Sequence, residues 1–127
     1  MNTRWILILL LLSGMSVSVS RAKSEDGAAE YRRYCSACHG ESADGKGPAA
    51  NALDPGPPAL TGLRAKYGNP LSTELVVSVM GTTMPRAHGT SNMPVWGRNL
   101  ADPDGDDTRA IETIWRIVHY LDSIQSP

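Results

Sequence analysis

An all-α fold, three or more short helices joined by long loops, is what this chain predicts on three observations. Between positions 111 and 121 apolar residues recur every three or four places, the period of a helix with one buried face. The one Val-rich run that could pass for a strand, positions 75–79, has no second run to pair with. Positions 40–69 and 81–104 are dense in Gly, Pro, Asn and Thr, and structureless stretches of that length inside a small domain ordinarily count against an assignment. They become reasonable if the loops close around a large apolar group that supplies the burial they cannot obtain from one another.

Taken in order, residues 1–22 read as a secretory signal peptide and residues 23–127 as the folded domain. Arg4 gives a positive start, positions 5–12 are an apolar run, and positions 13–22 supply small polar residues ending in Ser20-Arg21-Ala22, which looks like an A-x-A cleavage site. The run over 5–19 is shorter than the roughly 20 apolar residues of a spanning helix and is broken by Ser13, Gly14, Ser16 and Ser18. Membrane attachment is therefore expected only if this segment is not cleaved. Cleavage takes Arg4 and Arg21 away, so basic residues fall from 12 to 10 against 13 acids and the net charge moves from −1 to −3. That balance excludes a nucleic-acid binder. The mature part contains no Phe, which leaves a small domain short of core.

Positions 25–34 place acids in a first turn and good helix formers after them, predicting a short helix that runs into Cys35. Gly27, Tyr31 and Cys35 stand four apart on one face, and a small residue one turn before an aromatic lets a second helix cross closely. Cys35-Ser36-Ala37-Cys38-His39 follows, holding both cysteines of the chain and the first of its three histidines. A C-x-x-C-H run is the attachment signature of haem c. Two thiols on a short turn reach the two vinyl groups on one edge of a porphyrin, and the next side chain then lies under the ring, where an imidazole nitrogen can bind iron. A thioredoxin-like redox pair needs a βαβ setting that is missing here, and a zinc site needs a second ligand pair, whereas His88 and His119 are single and far apart.

Downstream, Ser72 can cap a helix with Glu74 in its first turn; Leu75, Val76, Val79 and Met80 form its apolar edge and Gly81 ends it. Asp104, Asp106 and Asp107 lie at the positive end of the C-terminal helix, whose stripe is Ile111, Ile114, Trp115, Val118 and Leu121. Ile117 and Tyr120 widen that stripe toward a crossing with Gly27 and Tyr31. Positions 102–107 read as a solvated acidic turn, since the spacing and distal Glu of an EF-hand are absent. No paired carboxylates, nucleophile with its base, or phosphate loop marks an enzyme. With His39 on one side of an iron, Met84, Met93, His88 and His119 are the candidates for the other; Met80 sits in a helix and Met1 and Met15 leave with the signal.

Together these features resemble a class I mono-haem c-type cytochrome of the bacterial, periplasmic kind. The resemblance rests on Gly27, Tyr31 and Cys35 at four-residue spacing, on the C-x-x-C-H run, and on Asp44-Gly45-Lys46-Gly47 leading to Pro57-Pro58-Ala59-Leu60. It extends through Met93-Pro94-Val95-Trp96-Gly97 to Ile117-Val118-His119-Tyr120-Leu121, covering most of residues 25–124. It implies the cytochrome c fold, one haem c held covalently by Cys35 and Cys38, and His39 and Met93 as axial ligands to the iron. Met84-Pro85 is a second Met-Pro, nine residues before the first. The resemblance further implies that the Pro58 backbone accepts from His39, that Leu60 packs on the ring, and that Trp96 either bonds a propionate or fills core beside Met93. It implies a one-electron carrier in the periplasm, not an enzyme in itself. Its partners would be a dehydrogenase or reductase on one side and an oxidase on the other; a haem c subunit of an oxidoreductase complex is the alternative.

Overall fold

The computed structural model describes residues 17–81 and 93–127; Met84, His88 and the first sixteen positions of the expected signal lie outside them. Among the described residues the secondary structure is wholly helical. In chain order the helices are α1 (Val17–Tyr34), α2 (Ser36–His39), a 3₁₀ turn (Ala50–Ala52), α3 (Arg64–Tyr67), α4 (Thr73–Met80), α5 (Trp96–Leu100) and α6 (Thr108–Ser123). The fold is that of the cytochromes c, and no helix among the described residues is long and apolar enough to cross a membrane.

The core is the crossing of α1 on α6, the largest helix–helix contact. Gly27 lies directly against the Arg116 carbonyl and Tyr120 Cβ, and any side chain in its place would collide with backbone. One turn on, Tyr31 is fully buried and its ring packs against Tyr120 with centroids 5.3 Å apart. The expected crossing point is therefore present, although α1 begins at Val17, eight residues before the acids expected to open it.

Helix α6 corrects part of the expected stripe. Its inward face is Ala110, Thr113, Ile114, Ile117, Val118 and Leu121, so Ile117 is central, whereas Ile111 is 38 % exposed. A 3.6-residue period admits two overlapping faces when apolar residues are this dense, and the docking of α1 selects between them. The acids at its start also divide unevenly. Asp107 occupies the N-cap position without a side-chain bond, while the Asp106 carboxylate accepts from the Thr108 amide at 2.8 Å and the Thr108 hydroxyl at 2.6 Å. Those two bonds hold the Asp106 carboxyl below its usual range.

Helix α4 forms where expected, with Leu75 and Val76 buried. Gly81 ends it in the left-handed conformation and donates to the Val77 and Ser78 carbonyls. Ser72 does not cap it: the hydroxyl is buried without a hydrogen-bond partner, and Leu75 N bonds the Ser72 carbonyl instead. The stretches read as loops are less irregular than expected, since α3 and α5 interrupt them. Helices of four and five residues are too short to print a period on the sequence.

Candidate functional site

Helix α1 hands directly to α2, and the two thiols and the imidazole sit on that joint. Tyr31 O carries the Cys35 amide at 2.8 Å, and Cys35 O carries the amides of Cys38 and His39 at 3.2 and 2.9 Å, so the turn is wound by its own backbone. The Tyr31 hydroxyl, buried, donates to the Gly40 carbonyl at 2.7 Å and ties the end of the turn back to α1. Burial raises the pKa of that phenol.

The loop after α2 is stapled to it by backbone bonds. Gly45 N reaches His39 O at 2.8 Å, Gly47 N reaches Cys38 O at 3.0 Å, and Ala49 N reaches Ala37 O at 2.9 Å. Gly45 has φ +80° and lies against the Pro57 carbonyl, where a Cβ would stand 2.6 Å from that oxygen. This close approach, with Leu60 N bonded to Ala43 O at 2.7 Å, brings the proline segment beside His39. His39 Nδ1 is 3.0 Å from the Pro58 carbonyl oxygen. An oxygen of that kind only accepts, so Nδ1 carries the proton and Nε2 keeps its lone pair.

These groups face a cavity of about 320 Å³ with mostly apolar walls. Cys35, Cys38, His39, Pro58, Leu60, Met93 and Trp96, the residues assigned from sequence, all line it. Cys35 is buried and Cys38 partly exposed, and neither is in a disulfide. Burial, then the neighbouring Cys38, pushes the Cys35 thiol up to about 12. Trp96 packs its ring on Tyr34, centroids 5.5 Å apart, at the end of α1 next to the thiols. His119 is exposed on α6 with its ring 5.6 Å from Trp115, away from the cavity walls.

Sequence reasoning missed the opposite wall, made by Leu63 and Tyr67 of the α3 segment and by Leu75, Ser78 and Val79 of α4. Leu75 and Val79 were visible as an apolar edge but were assigned to packing. The rest of that wall is hung from the C-terminal segment. The Gln125 side chain accepts from Leu63 N at 2.6 Å and Arg64 N at 3.3 Å, and donates to Leu60 O at 2.7 Å and Leu121 O at 2.9 Å. Asp122 accepts from Leu71 N at 3.2 Å and pairs with Arg64 at 3.3 Å. No local signal marks such a clamp, because its partners lie 51 to 65 residues apart in sequence.

A haem c fits this donor set. Two free thiols, an imidazole with one nitrogen committed and one available, and a methionine all border one apolar cavity. Among the described residues no cluster of three His, Cys, Asp or Glu competes for a bare metal ion. The family model described as Cytochrome c matches residues 24–125. No curated protein and no solved structure matches the chain.

Proposed function

The chain belongs to the cytochrome c family, which carries haem c and transfers electrons, and from that premise we propose that it is a periplasmic carrier whose single haem is held by Cys35 and Cys38 and ligated by His39 and Met93. A haem c with both axial positions filled supplies reversible one-electron exchange between ferric and ferrous iron. The protein does the rest. Pinning Nδ1 to the Pro58 carbonyl presents Nε2 in one orientation and raises its basicity. The Met93 thioether is a soft neutral ligand that favours the ferrous state, and the apolar walls, Leu60 among them, disfavour the extra charge of the ferric one. With no open coordination position there is no place for oxygen or substrate, so the role is transfer between a dehydrogenase or reductase and an oxidase, not catalysis. Residues 1–22 serve export and are removed.

The single observation that supports this reading best is the fixed tautomer of His39 in a wall shared with both thiols and Met93. Absorption spectra of protein matured with haem test it. The weak red band of sulfur bound to ferric iron is expected to vanish in Met93→Ala and persist in Met84→Ala; the reverse result would move the ligand to Met84. Elution of the haem protein as a monomer, with rapid electron exchange to unrelated partners, is the expected mark of a free carrier.

A further inference from the structure

A haem whose vinyl edge is bonded to Cys35 and Cys38 carries its two propionates on the opposite edge, so the far side of the cavity must receive two carboxylates. The polar side chains on the near side belong to Tyr34, Cys35, Cys38 and His39, carried on α1 and α2, and Trp96 joins them by stacking on Tyr34. Across the cavity the wall is apolar except at two hydroxyls, Tyr67 at the end of α3 and Ser78 in α4. Helix α2 packs on α1 and the 3₁₀ turn, whereas α4 packs on α5 and α6, which keeps the two walls on separate supports. The Lys66 ammonium stands 4.9 Å from the centre of the Tyr67 ring.

We propose that Lys66, Tyr67 and Ser78 form a carboxylate-binding corner that takes the acidic edge of the haem, and that the Lys66 charge there raises the reduction potential. The proposal rests on the haem reading above. Tyr67 is half-buried while Lys66 and Ser78 are exposed, so carboxylates at this corner keep access to water and avoid the cost of full burial. Burial pushes the Tyr67 phenol up, but hydrogen bonding to Lys66 and Ser78 and the Lys66 charge outweigh it and the net pKa is lowered. A phenol so polarised is a strong donor to an anion. Trp96, the donor suggested by sequence, is on the thiol side and fills space against Tyr34. The sign of the electronic effect follows from charge alone: carboxylates stabilise ferric iron, and an ammonium beside them offsets that.

The test uses the haem-loaded protein with Lys66→Gln, Tyr67→Phe and, as a control, Lys46→Gln, an exposed lysine on the loop beside the thiols. Spectroelectrochemistry gives the midpoint, and resonance Raman gives the propionate bending band. Lys66→Gln is expected to lower the midpoint and shift the band, Tyr67→Phe to shift the band, and Lys46→Gln to leave the band unchanged. An unmoved band in both Lys66→Gln and Tyr67→Phe overturns the proposal, as does an equal midpoint drop in Lys46→Gln. In each case the haem stays attached and the red band of sulfur ligation intact, so the haem reading survives. Protein that carries no covalent haem at all would sink that reading first and this one with it.

Discussion

At the scale of single residues, two positions govern whether the thiol turn is presented at all. Gly27 lets α1 rest on the Arg116 carbonyl. Gly27→Ala forces a methyl into backbone, and a loss of about 1–3 kcal/mol is expected in chemical denaturation of the haem protein. Tyr31 combines ring packing on Tyr120 with a hydroxyl bonded to Gly40 O, and Tyr31→Phe removes only the second. The expected cost is about 1 kcal/mol, read as a lower denaturation midpoint with unchanged slope. Both residues were legible in sequence as a four-residue spacing ahead of Cys35, because helical geometry fixes which side chains share a face. The hydroxyl's partner was not, since Gly40 O comes within reach only after the chain has turned.

At the scale of elements, the start of α6 depends on Asp106 and not on the residue at the formal N-cap. Its folded-state pKa is depressed, so its contribution is present above the ordinary carboxylate value and is lost as pH falls through the folded value. Asp106→Asn should therefore be less stable than the parent at neutral pH, and the gap should close in acid below both values; thermal melts across that range check it. The pattern of acids announced a helix start but could not say which carboxylate would turn toward Thr108. The same limit applies to α3 and α5, whose single turns leave no periodic trace. Helix α6 itself was legible as a helix and misjudged as a face, with Ile111 placed inward and Ile117 at the margin.

At the scale of the molecule, the domain is two walls around a cavity, and little but α1 on α6 packs without it. Protein with Cys35, Cys38 and His39 replaced, and so without haem, is expected to show a larger hydrodynamic radius and reduced far-UV helicity than the loaded form. The near wall was readable because its residues are consecutive, and the chemistry of each follows from its neighbour. The far wall was not, because Gln125 and Asp122 assemble it across long loops. Gln125→Ala removes four hydrogen bonds at once. It should cost about 2–3 kcal/mol and loosen the segment from Leu60 to Leu71, read by hydrogen exchange of the Leu63 and Leu71 amides.

That clamp also imposes an order on biosynthesis. The thiol turn is complete once some forty residues have emerged from the ribosome, whereas the Gln125 amide that fastens the opposing side is among the last to follow. A growing polypeptide thus offers its cysteines to the attachment machinery long before it can shut around what they receive.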